Sequence, residues 1–501
     1  MTESETNRRD FVKAAAGAVA VAVAPASPAL AQASPPKKMI GIQVGAVSFV
    51  DEGTEKVLDI FQERAAINTL FLAVFTYGRG IAGRQVPGQP LPDHGKQEYD
   101  VDFHGGNYGT VHPQYYKDIA LKPEDTRAPD HGKLDIIAEV LPAAKKRGMR
   151  TILWTEDVWR AGLPNLEKLQ EVDLHGRKAH RMCMNNPYHR NFLLGLVEDY
   201  TRSYDIDGFM WGSERHGALG TALGSSHGGG QSDPGRVGCF CEFCARKARE
   251  QGILRIERVK EGYVALEKFV RESRSGKRPV DGHYVTFWRI LMRYPEILAW
   301  EQFWHDSLRE LYKAMYDKVK SIKPGMQVGW HIWHNNSFSP FYRAQQDVQE
   351  LAKCSDFLKM VMYHNCGGPR MASYIQSTCG TVFADLPPQM ALDFNYQVLN
   401  FRERGLEQIP FTGLSADYVY REAKRAVEGA AGTKLLIWPG IDIDIPTSGN
   451  HSKSTPQGTK DAVQAALKAG AGGVLLSRKY SEIKLANLSG AGEAVREMKL
   501  D

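Results

Sequence analysis

The sequence contains no run of about 20 consecutive apolar residues, the length a helix needs to span a bilayer, and no block of like charge. The 63 basic and 58 acidic residues leave a formal net charge of +5, so a basic nucleic-acid-binding face is not indicated. No internal repeat is visible beyond an alternation of strand-like and helical segments. What is present is ordinary globular composition, with 43% hydrophobic and 24% charged residues. A length of 501 residues favours one large or two medium domains.

The one notable apolar stretch lies at the N-terminus and is too short to span. It follows Asn7-Arg8-Arg9-Asp10-Phe11-Val12-Lys13, runs through Ala, Val and Gly to about Ala24, and ends near two A-x-A sites, Ala29-Leu30-Ala31 and Ala31-Gln32-Ala33. A charged start, a weakly apolar middle and a small-residue cleavage site make a signal peptide. The paired arginines are the mark of twin-arginine export, which carries folded chains. Residues 1–33 are therefore read as signal, with the mature chain starting near Gln32 or Ser34 and residing in a periplasm or outside the cell. No later segment is apolar enough to cross a membrane.

Eight β-branched or apolar runs, 39–48, 67–76, 150–156, 207–212, 326–333, 357–363, 433–439 and 472–477, alternate with three-and-four-spaced helical patterns such as Leu134, Ile137, Ala138 and Leu141. Eight βα units in one chain predict an α/β fold, a closed (β/α)8 barrel occupying 34–501. Two insertions stand out. Residues 77–132, after the second run, carry Tyr77, Tyr99, His104, Tyr108, His112 and Tyr115; residues 215–325, after the fourth, carry a Gly/Ser loop and a cysteine cluster. Both follow strand C-termini and belong on the catalytic face of such a barrel.

Seven cysteines in an exported chain call for disulfides or metal. Cys239, Cys241 and Cys244 form a C-x-C-x-x-C run opening a helix, and Cys183 is the candidate fourth ligand of a tetrahedral zinc site around 183–250. Four sulfur ligands leave no open position, so the ion is structural. A disulfide among the three is the alternative, and a Cys366–Cys379 bridge is one further arrangement the sequence allows.

Around these cysteines the chain resembles the beta-galactosidases of glycoside hydrolase family 42. The order Asp173-Leu174-His175-Gly176-Arg177, Cys183, Asn186-Pro187-Tyr188-His189-Arg190, Asp207-Gly208-Phe209-Met210-Trp211-Gly212-Ser213-Glu214 and then the cysteine helix follows that family's features over residues 170–250. The resemblance implies a structural zinc on Cys183, Cys239, Cys241 and Cys244, Glu214 as catalytic acid, and a carbohydrate partner. It also implies that a homo-oligomer is compatible with the chain. Two positions depart. Ser213 stands where the family has Asn, and the seventh strand ends Trp438-Pro439-Gly440-Ile441-Asp442-Ile443-Asp444 where the family has a nucleophilic Glu. A related hydrolase family is expected rather than a beta-galactosidase.

Glycosidic cleavage uses two carboxyl groups, one protonated and one ionised. Glu214 and Asp442 are the expected catalytic pair, with Glu156, Asp444 and Glu482 as other carboxylates at strand ends. Arg215, beside Glu214, favours its ionised form, so a proton there would have to be held by burial or by the second carboxylate. Arg215, Glu156 and Asp444 are also expected to contact substrate. The fifth strand ends Trp330-His331-Ile332-Trp333-His334-Asn335-Asn336 and the sixth Tyr363-His364-Asn365. Aromatic faces stack on sugars, and His and Asn bond to hydroxyls, so His331, Trp333, His334, Asn335, Tyr363 and His364 are expected to bind substrate, with Trp154 at the third strand. Two other classes fit the sequence. One is a metal-dependent sugar isomerase or lyase built on His331, His334 or His364 with Glu214 or Glu156; the other is a non-catalytic carbohydrate-binding barrel.

Overall fold

In a computed structural model of the chain, the residues described are 38–228, 232–445 and 454–500. The expected signal peptide lies outside them. Eight strands, β1 (Met39–Gly45), β2 (Thr69–Thr76), β3 (Arg150–Glu156), β4 (Gly208–Gly212), β5 (Gln327–Ile332), β6 (Phe357–Val361), β7 (Leu436–Asp442) and β8 (Gly473–Ser477), are all parallel neighbours in chain order. β1 pairs with both β8 and β2, in registers Met39↔Gly473 and Gly41↔Thr69, and so closes the cylinder. This is the expected (β/α)8 barrel. Among the described residues no helix is long and apolar enough to cross a membrane.

All eight runs read from the sequence are strands, with edges moved by a few residues. The largest shift is in β7, which passes through Pro439 instead of ending there. Gly440, Ile441 and Asp442 pair with Leu475, Leu476 and Ser477 of β8, and these ladders carry the backbone beyond the residue that lacks an N–H. The helix around Leu134 begins two residues later, at Ile136, because the Asp135 carboxylate accepts from the N–H groups of Ile137 and Ala138.

Both expected insertions are present. Residues after β2 are largely irregular, and their aromatics are mostly used in packing: Tyr77 stacks on Trp159 at 6.1 Å, and the Tyr108 hydroxyl donates to Asp130 at 3.1 Å. After β4, helices Ala218–Leu223, Glu242–Glu250, Ile256–Arg274 and His283–Arg293 precede the long barrel helix Glu296–Ile322. They build a second apolar core, around Leu223, Phe240, Tyr263, Leu266 and Trp300, outside the barrel. Two further excursions were not anticipated: a hairpin after β3 (Gln170–Val172 with Lys178–Met182) and a helix pair after β6 (Gly367–Cys379 and Pro388–Leu399). The second rules out the Cys366–Cys379 bridge. Both thiols are free, and they stand at opposite ends of one helix, roughly 20 Å apart by helical rise.

Candidate active site

Strand alternation sorts the barrel interior into layers. Met39, Phe71, Ile152, Trp154, Met210, Phe357, Trp438 and Leu475 form one apolar plug, with Phe357 stacked on Trp438 at 4.1 Å. Two residues further along the same strands the side chains turn polar: Glu156 follows Trp154, Lys359 follows Phe357 and Ser477 follows Leu475. His331 on β5 and Gln43 on β1 belong to this layer, where Ser477 donates to Gln43 at 2.6 Å. Trp154, expected to bind substrate, is instead part of the plug; its ring is enclosed by the neighbouring strands and presents no face to a ligand.

Glu214, two residues beyond β4, stands over this polar layer with its side chain 54% exposed. Its Oε1 lies 2.8 Å from His331 Nε2. On the far side of that ring the Lys359 ammonium donates to His331 Nδ1 at 3.1 Å and to the Tyr363 hydroxyl at 2.7 Å. Because lysine donates to Nδ1, the ring proton sits on Nε2 and points at Glu214. Partial desolvation at the mouth opposes ionisation of Glu214, but the His331 hydrogen bond and the positive charge nearby, including that of Arg370, hold the half-exposed carboxyl down at about 2. His331 is itself pushed down, by burial and then by Lys359, so it serves as a neutral donor.

Glu156 has the opposite environment. Burial, reinforced by the charge of Glu214, raises its carboxyl to about 7 against the pull of the Thr76 hydroxyl, which donates to Oε2 at 2.8 Å. Burial likewise pushes the Lys359 ammonium down to about 7, although Glu214 and Glu156 pull it up. The mouth of the barrel thus holds one carboxylate that is ionised and another that is protonated until near neutrality. Trp333 completes one wall, stacked on His216 at 5.5 Å and tilted against His227 at 5.4 Å. The imidazoles of His216 and His227 are lowered to about 4 and about 3, mainly by burial, and are neutral.

Several expected site residues are committed elsewhere. Asp442 is completely buried and accepts the backbone N–H groups of Asn365 and Cys366 at 3.0 and 2.7 Å, with His364 Nδ1 3.0 Å away. Its carboxylate fastens the turn after β6 and does not converge with Glu214; the second carboxyl at the mouth is Glu156. The same pairing ties His364 to the scaffold. Asp444 accepts from Lys484 N and Asn487 Nδ2 and so joins β7 to the β8 helix. Glu482 is paired with Arg478 and Lys479. His334 is buried between Arg370 and the Tyr418 hydroxyl, and Asn335 donates to Ser225 O. Arg215 lies under the mouth, bridging Asp157 at 2.8 Å, Glu171 at 3.4 Å and Met182 O at 2.9 Å. His331, His334 and His364 therefore face three different partners, and their rings do not converge as metal ligands would.

The structure brings His331, Tyr363, Glu156 and Glu214 together around Lys359, with Trp333 joined to them through His227. Lys359, Arg370 and His227 were missed. Lys359 had a visible signal, as the single charge inside the otherwise apolar run 357–363. Arg370 and His227 arrive from the excursions after β6 and β4 and had none.

The four cysteines form a separate cluster. Their sulfurs all lie within 4.8 Å of one another, with Cys183 Sγ 3.6 Å from Cys241 Sγ and 3.5 Å from Cys244 Sγ. Val172 N and Asn185 Nδ2 each donate to a sulfur at 3.4 Å. Cys183 closes the hairpin after β3, while the other three open the helix Glu242–Glu250, so the cluster joins two excursions of the barrel.

Fold and mouth together define a (β/α)8 barrel whose C-terminal rim holds two carboxyl groups and a buried lysine–histidine pair. No protein-family model matches the sequence, and no curated protein matches it. Among solved structures the chain is similar to a polyextremophilic beta-galactosidase from the Antarctic haloarchaeon Halorubrum lacusprofundi. The identity is 13%, the match covers 92% of this chain and 58% of that one, and the TM-score is 0.51. Similarity also extends to alpha-L-fucosidase isoenzyme 2 from Paenibacillus thiaminolyticus (13% identity, 92% and 49% covered, TM-score 0.48). A catalytic mutant of a GH42 beta-galactosidase from G. stearothermophilus matches at 11% identity, with 92% and 57% covered and a TM-score of 0.48. The chain spans about half to three-fifths of the length of these structures, and at such identity the likeness is one of barrel fold.

Proposed function

We propose that the chain is a glycoside hydrolase that cleaves an oligosaccharide or polysaccharide with the carboxyl pair Glu156 and Glu214. One observation carries this reading: two carboxyl groups stand at the barrel mouth in opposed settings, Glu214 held at 2.8 Å by His331 beside positive charge and Glu156 desolvated against Thr76, which favours an ionised Glu214 and a protonated Glu156. Carboxyl groups driven apart in this way divide the labour of glycosidic cleavage. Protonated Glu156 gives its proton to the departing oxygen. Ionised Glu214, steadied by His331, attacks the anomeric carbon or stabilises the positive charge that develops there. This reverses the acid role that the family resemblance implies for Glu214. Trp333, largely covered by the neutral rings of His216 and His227, backs one wall of the mouth. The barrel likeness to glycosidases of known fold agrees with the reading but does not carry it.

The test is a screen of aryl glycosides and polysaccharides against wild type, Glu214→Gln and Glu156→Gln. Turnover should fall by about 10³-fold or more in the Glu214 variant, with sugar binding retained. Loss in the Glu156 variant should be about 10²–10⁴-fold, as for a general acid, and least for substrates whose leaving group needs no proton. Undiminished turnover in Glu214→Gln removes the reading.

A zinc ion on the cysteines belongs to the same proposal. A Zn–S distance of about 2.3 Å gives tetrahedral S···S edges of about 3.8 Å, close to the 3.5 and 3.6 Å between Cys183 and its neighbours. The N–H donors from Val172 and Asn185 suit thiolates. When bound, the ion would clamp the hairpin to the cysteine helix and take no part in the chemistry. Twin-arginine export fits this assignment, because a chain that leaves folded takes up its metal in a reducing compartment.

A further inference from the structure

We propose that Lys359 is the positioning residue of this site: its ammonium fixes the His331 ring with the proton on Nε2 and thereby aims that proton at Glu214. The proposal rests on the hydrolase reading for its kinetic consequence but not for its geometry. A histidine between a carboxylate and solvent exchanges its proton between two nitrogens. A histidine with a lysine ammonium on Nδ1 cannot, because the charged group offers donors only.

The structure makes room for this lysine in a specific way. Lys359 is completely buried, at the level where the apolar plug gives way to polar side chains, and its Nζ reaches His331 Nδ1 and Tyr363 Oη. The strand beside it carries glycine at the matching height. A Cβ on Gly440 would lie 2.6 Å from Lys359 Cε and 3.3 Å from Tyr363 Cε1, so β7 leaves open the channel through which the lysine stem passes. The charged and titratable groups around it are His331 on β5, Glu156 on β3, Glu214 beyond β4, Tyr363 beyond β6, Arg370 on Gly367–Cys379 and Arg478 beyond β8. Burial disfavours the ammonium and the two glutamates favour it. The ring is fixed while Lys359 carries its charge; a neutral amine has a lone pair and could accept from Nδ1 instead.

The experiment uses the whole chain labelled with ¹⁵N-histidine, and reads the ring nitrogens of His331 by long-range proton–nitrogen correlation, with signals assigned by their loss in His331→Gln. Below the value of about 7 at which Lys359 loses its proton, wild type should show the Nε2–H form alone. Lys359→Met should show a mixture including Nδ1–H, and Gly440→Ala, which keeps every ionisable group but crowds the lysine, should move in the same direction. With a glycoside substrate in hand, Lys359→Met should lose about 10–10²-fold in kcat with little change in KM, and the acid limb of its pH profile should move to higher pH. A pure Nε2–H ring in Lys359→Met overturns the proposal. If no glycoside is turned over by wild type, the hydrolase reading fails while the ring measurement still decides the role of Lys359; should Lys359→Met not fold, Gly440→Ala carries the measurement.

Discussion

At the scale of single residues, the division between Glu156 and Glu214 has a signature in pH. Folding moves Glu156 from 4.5 up to about 7, so the folded chain binds more protons than the unfolded one between those values. Its contribution to stability is present below 4.5 and is lost as pH rises to about 7. Glu214 runs the other way, from 4.5 down to about 2, stabilising above 4.5 and losing that contribution as pH falls toward 2. Glu156→Gln should therefore gain stability relative to wild type between pH 5 and pH 8, by about 1–3 kcal/mol, in paired urea titrations. If Glu156 is the proton donor, wild-type turnover should decline above about pH 7, and this decline should be absent in Glu156→Gln. Glu214 itself was legible in the sequence as a carboxylate after a buried strand. Its protonation state was not, because that depends on His331, which is 117 residues away, and on Arg370.

At the scale of elements, the excursions after β3, β4 and β6 are held by buried polar groups that the sequence suggested for substrate. Arg215 is the clearest case, with Asp157 and Glu171 both paired to it in the interior. Arg215→Met removes the ion-pair partner that two buried carboxylates share and should cost about 3–5 kcal/mol, seen as a lowered Tm; a substrate-binding role would instead raise KM and leave Tm unchanged. Asp442→Asn should behave in the same way. The amide accepts one of the two N–H groups and opposes the other, costing about 1–3 kcal/mol, with turnover altered far less than in Glu214→Gln. Sequence patterns show which strand ends are acidic. They do not show that Asn365 and Cys366 turn their backbone N–H groups toward Asp442, since that follows from how the loop after β6 folds back over β7.

At the scale of the whole molecule, the barrel and the helical excursion after β4 have separate apolar cores, and the cysteine cluster lies with the second. Metal analysis should give about one zinc per chain. Stripping it with a strong chelator, or Cys183→Ser, should produce an early thermal transition confined to the excursion, followed by unfolding of the barrel near its original temperature. One unshifted transition in metal-free protein would show that the cysteines contribute little to the fold.

The barrel was determined by the sequence alone, because its signal is local. A strand buried on both faces is apolar over most of its length, and eight such runs spaced by amphipathic helices point to a closed barrel. The cysteine cluster was legible for a similar reason, since three of its members share one helix start. Only the tertiary structure decided which carboxyl group keeps a proton, which arginine is scaffold and which lysine reaches the centre. These are properties of groups that meet across the barrel from different strands, and the electrostatic field at their meeting point is not encoded in any one segment.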